Sequence, residues 1–309
     1  MIITVTMNPA IDKTVDLERF EHGGLNRVSN VIMDAGGKGI NVSKTIKELG
    51  GETIATGFQG GSSGTLILDT LNELGINSDF VKINKEIRTN LKVVENNGFV
   101  TEFNEPGPMI TPEELELLVN KLVNYAKEDV LFVFSGSIPK GIDPSIYGSL
   151  IKKVKEKGAK VLLDADGELF VGAVDTKPDI IKPNRHELEK YFSLDYRADE
   201  NELIQMGNQL LDKGIKLVAI SLGQMGALFL TKERKVRCPG LKVEAHSTVG
   251  AGDAMVAALS YGYDQGFDFL DMVKLSMATS AGAVITKGTK PPNREVVEQL
   301  IKDVEIIEI

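Results

Sequence analysis

The chain has one cysteine, Cys238, no tryptophan and three histidines, His22, His186 and His246, among its 309 residues. A lone cysteine excludes an internal disulfide framework and a cysteine-based zinc site, and it suits a reducing compartment. The histidines show no metal-ligand spacing. Cations are in the minority, because 35 Lys and Arg against 44 Asp and Glu leave a net charge of −9. That balance excludes the long basic footprint that nucleic acid requires. An anionic ligand must then be held by a few local cations. No run reaches the ~18 apolar residues of a membrane span, and the start of the chain lacks a basic stretch followed by an apolar one. The expectation is a cytoplasmic protein with no membrane or nucleic-acid partner. Twelve phenylalanines and nine methionines remain, and these suit a packed core better than a cofactor box.

Short β-branched runs alternate with helical patterns. Strands are predicted at Ile2 to Thr6, Thr53 to Gly57, Val130 to Phe134, Val161 to Asp164, Ile180 to Lys182 and Leu217 to Ser221. Helices are predicted from Ile40 to Leu49, Gly64 to Leu74, Pro112 to Lys127 and Pro144 to Lys157. Gly50, Gly75 and Gly158 are placed to cap three of them, and Pro112 and Pro144 to open two. The alternation predicts an α/β fold with a mainly parallel sheet and helices on both faces. Two segments break the rhythm. Residues from about 12 to 34 alternate as half-polar strands, and those from about 89 to 103 read as a hairpin around Asn97-Gly98. Neither is apolar enough to bury two faces. Both read as a small strand-built appendage that closes over a ligand or pairs with a second subunit, or else as edge strands of the main sheet.

The most informative stretch is Ser247-Thr248-Val249-Gly250-Ala251-Gly252-Asp253, followed by an apolar helix. Small residues before a helix leave its first N–H groups open, and with the macrodipole these form an anion site. It is not a Rossmann fingerprint, since Met255 stands where the third glycine belongs. Nor is Gly37-Lys38 a Walker loop, since Gly39 follows it. A capped helix with Asp253 as its N-terminal charge would explain this stretch equally well. A second glycine cluster, Ala35 to Asn41, opens another helix with a cation and an amide in the loop. A third signal is Lys182-Pro183-Asn184-Arg185-His186-Glu187, which also reads as an N-capped helix. A fourth is Ser221 to Ala227, a strand ending in a glycine-rich turn at the carboxyl edge of the sheet, where open α/β folds bind ligands.

These four segments, in this order and with Asn8-Pro9-Ala10-Ile11-Asp12 near the start, resemble the PfkB (ribokinase-like) carbohydrate kinases over essentially the whole chain. Asn8 to Asp12, Lys38 in its loop, Arg88-Thr89-Asn90 and Asn104 to Pro108 are most similar to the phosphosugar branch, the 1-phosphofructokinases and tagatose-6-phosphate kinases. The resemblance implies one ribokinase-like α/β domain over residues 1–309, with a β-strand lid inserted at about 12–34 and 89–103. It implies ATP-dependent phosphorylation of a ketose phosphate with Mg²⁺. The acceptor would be D-fructose 1-phosphate, giving fructose 1,6-bisphosphate, or alternatively D-tagatose 6-phosphate. A non-catalytic sugar-phosphate-binding regulator is the alternative from another class.

The same resemblance assigns roles. Asp253 would take the proton of the attacking hydroxyl, with Gly250, Ala251 and Gly252 forming the anion hole; its place at a helix N-terminus predicts an ionised, weak base. Asp12, Gly37, Asn41 and Ser137 would contact the sugar. Lys38 and Arg88 would hold its phosphate, because a dianion needs cations, and Arg27 would add to them across a homodimer interface made by the lid strands. Ser221, Gly223 and Gly226 would line the nucleotide site with Lys182 and Asn184 near the triphosphate, and Glu187 would organise Mg²⁺ through water.

Overall fold

A computed structural model describes residues 1–244, 249–286 and 290–309. Ser247 and Thr248 of the glycine-rich signature, and His246, lie outside the described residues. In chain order, β1 (Ile2–Thr6), β2 (Ala10–Leu17) and β3 (Asn30–Gly36) precede α1 (Lys38–Glu48), β4 (Thr53–Gln59) and α2 (Gly61–Glu73). Four strands follow: β5 (Asn77–Ser78), β6 (Val81–Lys82), β7 (Arg88–Glu95) and β8 (Val100–Asn104). Next come α3 (Pro112–Tyr125), β9 (Leu131–Ser135), α4 (Ile146–Lys155), β10 (Lys160–Asp164), α5 (Gly167–Val174) and β11 (Ile180–Ile181). Then come α6 (Arg185–Tyr191), α7 (Glu200–Asp212), β12 (Leu217–Ser221), β13 (Ala227–Leu230) and β14 (Lys235–Cys238). The chain ends with α8 (Ala251–Asp264), α9 (Phe269–Ile285), α10 (Arg294–Leu300) and β15 (Ile307–Glu308).

Among the described residues these strands form two sheets. The larger runs β15-β14-β13-β12-β11-β10-β9-β1-β4-β5, with β6 also on β4. It is parallel from β12 to β5, and antiparallel pairs add β13, β14 and β15 at one edge. Successive side chains of a strand point to opposite faces, and the core divides accordingly. Ile3, Val5, Phe132 and Phe134 pack under α3, α4, α5 and α7. Ile2, Leu131 and Val133 pack under α1, α8 and α9. Both faces are covered, which is why these strands read as continuous apolar runs. No helix among the described residues is long and apolar enough to cross a membrane.

The smaller sheet is β3-β2-β7-β8 and is separate from the main one, so the two irregular segments are not edge strands of the main sheet. The β7–β8 turn does fall at Asn97-Gly98, with Gly98 at φ 87° and Glu95 N–H donating to the Phe99 carbonyl. Residues 18–29 carry no strand. A cluster of Ile11, Ala35, Ile40, Ile67, Leu71 and Ile87 packs the base of the small sheet against α1 and α2. The parallel β2–β7 register puts Ala10 opposite Arg88 and Asp12 opposite Asn90. The outer strands leave Val31, Met33, Val100 and Phe103 exposed.

The carboxyl ends of the parallel strands make one rim: Thr6 on β1, Ser135 on β9, Asp164 on β10 and Ser221 on β12, with Lys182 just past β11. Gly57 fixes one side of it. At φ 141° it stands opposite Thr6, and a Cβ there would lie 1.9 Å from the Thr6 carbonyl oxygen. Gly57→Ala must therefore separate β1 from β4 or strain the backbone, and it is expected to cost more than about 3 kcal/mol. The urea midpoint measures this.

Candidate active site

Asp164 occupies the centre of the rim. It is 2% exposed and ion-paired with Lys182 Nζ at 3.1 Å and Lys38 Nζ at 3.5 Å. Burial pushes its carboxyl up, but the two ammonium groups outweigh that and hold it below its ordinary value. Lys38 is raised above the usual lysine range, chiefly by Asp164, and it also faces Asp253, Glu187 and Asp166. Its stem passes Gly136, where a Cβ would lie 3.4 Å from the Lys38 Cβ. The sequence reading passed over Asp164, because an aspartate closing an apolar strand is common and nothing local marks it as paired.

Asp253 lies in the first turn of α8, after Gly250 in the left-handed conformation (φ 85°). Its Oδ2 accepts a hydrogen bond of 2.9 Å from Asn41 Nδ2 on α1. The expectation of a readily ionised carboxylate is wrong here. Burial, with Asp164 adding repulsion, pushes Asp253 up to about 6 against the pull of Lys38, Asn41 and Lys182. Desolvation outweighs the helix terminus because the group is buried and the dipole effect is modest.

Beside Lys38 opens a cavity of about 150 Å³ lined by Thr6, Asn8, Lys38, Arg88, Ser135, Gly136, Ser137 and Asp166. Three predicted residues, Lys38, Arg88 and Ser137, thus meet there. Arg88 donates from Nε to the Asn8 carbonyl and from Nη1 to the Glu105 carbonyl, both at 3.2 Å, and burial lowers it. Asn8 Nδ2 donates to Ser137 Oγ at 3.2 Å. Asp12 is buried and accepts from Asn90 Nδ2 at 3.0 Å. Gly37 starts α1 at φ 104°, and a Cβ there would meet the Thr6 methyl at 2.7 Å.

Asn184 and Glu187 form a reciprocal capping box at the start of α6: Asn184 Oδ1 accepts from Glu187 N–H at 2.9 Å, and Glu187 Oε2 from Asn184 N–H at 2.8 Å. Desolvation raises the Glu187 carboxyl, and its Oε1 is left uncommitted. A second cleft, of about 700 Å³, is lined in part by Asn184, Arg185, His186, Ser221 and Gly223. Gly226 does not line it. There a Cβ would lie 1.9 Å from the Cys238 carbonyl oxygen, so strand-to-strand approach explains that glycine. Nor does Arg27 reach either opening; it is exposed on the β2–β3 connection.

Five buried side-chain atoms among the described residues, Thr6 Oγ1, Asn8 Oδ1, Asn41 Oδ1, Asn90 Oδ1 and Ser135 Oγ, have no partner, and the two buried oxygens of Asp164 meet only the ammonium groups of Lys182 and Lys38. All belong to this one region. Thr6, Asn8 and Ser135 line the small cavity, Asn41 holds Asp253, Asn90 holds Asp12, and Asp164 holds Lys38. Unmet buried polar groups cost about 1–3 kcal/mol each, so their convergence marks a surface made for a polar ligand. Of these residues, Thr6, Ser135 and Asp164 carried no functional signal in the sequence.

A doubly covered, mostly parallel sheet with a glycine-led helix start, an aspartate and two lysines on its carboxyl rim has the parts that a small-molecule kinase needs. The chain belongs to the pfkB family of carbohydrate kinases, whose sequence profile matches residues 5–295, and it is a phosphotransferase. It is 36% identical over 286 residues to a 1-phosphofructokinase of Borreliella burgdorferi, covering 92% of each chain. It is 32% identical over 313 residues to a tagatose-6-phosphate kinase of Staphylococcus epidermidis, covering 100% of each. Phosphofructokinase-2 of Escherichia coli, solved with substrates and products, superposes with a TM-score of 0.93 at 26% identity over 98% of each chain.

The elevated Asp253 gives a pH test. A proton acceptor must be deprotonated to act, so if Asp253 is that acceptor kcat/KM should fall about tenfold per pH unit below about 6. Asp253→Asn should remove about 10²–10⁴-fold of the rate and the acid limb with it, while nucleotide affinity stays within about twofold.

Proposed function

We propose that the protein transfers the terminal phosphoryl group of ATP to a ketose monophosphate, D-fructose 1-phosphate, giving fructose 1,6-bisphosphate. The observation that carries this reading is the convergence of unmet buried polar atoms with Lys38 and Arg88 at the small cavity, Lys38 being near enough to Asp253 to pull on its carboxyl. Lys38 is already paired with Asp164, whereas Arg88 donates only to two backbone carbonyls and keeps donors for the phosphate of a phosphorylated sugar. The 1-phosphofructokinase relative supports the acceptor. The full-length match to a tagatose-6-phosphate kinase supports D-tagatose 6-phosphate as the second candidate.

In this reading Asn41 orients Asp253 toward the acceptor hydroxyl, and Asp253 takes its proton as the oxygen attacks phosphorus. The N–H groups of Ala251, Gly252 and Asp253, after the turn at Gly250, stabilise charge on the migrating group. Asp12 has Oδ2 free for sugar hydroxyls beside Gly36, one residue before Gly37. Arg88 and Ser137 hold the acceptor at the small cavity. Lys182, Asn184, Ser221 and Gly223 flank the nucleotide.

The charges fit a divalent cation. Asp164, Asp253, Glu187 and Asp166 face Lys38, leaving these four acids in excess of Lys38 and Lys182. A bare triphosphate would be repelled there. Glu187 Oε1 and Asp164 are the groups placed to hold Mg²⁺ or its waters, and Mg²⁺ characteristically takes few protein carboxylates. When bound it neutralises phosphate charge. Glu187→Gln keeps the capping box and removes the charge. It should raise the Mg²⁺ concentration for half-maximal rate with the melting temperature unchanged.

The exposed apolar side chains on β3 and β8 support a homodimer made by the small sheets, which would also cover those edges. The decisive test of function is a panel of ketose phosphates and free sugars with ATP, read by ADP release. The highest kcat/KM is expected with D-fructose 1-phosphate. A preference for an unphosphorylated sugar overturns the phosphate site, and binding without ADP release identifies a regulator.

A further inference from the structure

Asp166 opens α5 as its N-cap, with extended backbone at φ −114° and ψ 166°. An aspartate in this position ordinarily accepts an N–H bond from the second or third helical residue, worth about 1 kcal/mol. Thr111, Asn184, Asp199 and Asp268 do so at the starts of α3, α6, α7 and α9. Asp166 makes no such bond. Its exposed side chain lines the 150 Å³ cavity with Lys38, Arg88 and Ser137 instead.

A free carboxylate in a cavity that receives a phosphate dianion is a mismatch unless the two are kept apart, since like charges in contact cost several kcal/mol. The charges around the cavity are arranged for that separation. Asp166, Lys38 and Arg88 line the one cavity, and the charge of Asp166 is felt by Lys38, with those of Asp164, Asp253 and Glu187, whereas the acids felt by Arg88 are Asp12 and Glu105. A carboxylate only accepts hydrogen bonds, so the group that suits Asp166 is a hydroxyl.

We propose that Asp166 determines acceptor specificity: its carboxylate accepts a hydrogen bond from a hydroxyl of the phosphosugar at the Lys38 end of the cavity and confines the sugar's own phosphate to the Arg88 end. This rests on the reading of the protein as a phosphosugar kinase. Lys38 also faces Asp253, where the new phosphate forms, so the bisphosphate product brings its second anionic group toward Asp166. The residue thus binds the acceptor and disfavours the product.

Two variants separate these effects. Asp166→Ala loses both the hydrogen bond and the charge; Asp166→Asn loses the charge while remaining a good cap. Asp166→Ala should raise the acceptor KM about tenfold, the loss of one hydrogen bond to a charged group. It should also lower the preference for D-fructose 1-phosphate over D-tagatose 6-phosphate. Both variants should bind fructose 1,6-bisphosphate about threefold to tenfold more tightly as a product inhibitor, with the KM for ATP within about twofold. A merely structural role would weaken acceptor and product together, and that outcome overturns the proposal. So does an unchanged preference and an unchanged product inhibition constant in a wild-type-active background. If the wild type itself turns over no ketose phosphate, the functional reading falls and this inference with it.

Discussion

The active rim depends on the charge balance at Asp164. A buried carboxylate is tolerable only when opposite charges stand beside it, and here they come from two places far apart in sequence. Lys38 begins α1, and Lys182 follows β11. The aspartate therefore joins the glycine loop after the small sheet to the turn that opens α6. Removing it would leave two half-neutralised lysines facing each other across the centre, and either lysine alone could not hold the carboxylate ionised as well.

The same balance sets the chemistry of Asp253. Asp164 repels it, Lys38 and Lys182 attract it, and burial decides the outcome by lifting its carboxyl to about 6. A carboxylate at its ordinary value would be a poorer proton acceptor near neutral pH, and one lifted much further would be protonated there. The fold reaches this middle position by bringing Asp253 in on α8 and Asn41 in on α1, so that one hydrogen bond restrains the rise.

Much of this was legible in the chain itself. Apolar strands of five residues and glycine-capped helices identified the alternating architecture, and Asn97-Gly98 identified the hairpin, because these depend on local propensity and turn geometry. Arg88 and Ser137 were named through the family resemblance, whereas Lys38, Asn41 and Asp253 stood out because charged or amide residues in glycine-rich helix starts have no packing task. Thr6, Ser135 and Asp164 did not, since their meaning comes from the register of strands that are distant in sequence, as when Ser135 pairs with Asp164. Gly226 has a packing reason of its own, and a glycine required by a neighbouring carbonyl looks the same in sequence as one required by a ligand. The ionisation of Asp253 was misjudged because a helix start is visible in sequence and the depth of burial is not.

The division of labour between the two sheets follows from their registers. Asp12 and Asn90 face each other across β2 and β7, and Arg88 starts β7 opposite Ala10. Groups suited to a sugar phosphate therefore travel together on the small sheet. Asp253, Asp164 and Lys182 belong to the main body. The chain crosses between the two four times, over residues 7–9, at Gly37, and over 83–87 and 105–111, and the crossing into α1 brings Lys38 and the Asn41 amide that bonds Asp253. Asn8, on the crossing from β1 to β2, accepts from Arg88 at its carbonyl and donates from its side chain to Ser137 beyond β9, so the two sheets are tied at the small cavity as well as by the chain, and a shift of one against the other must break a hydrogen bond there.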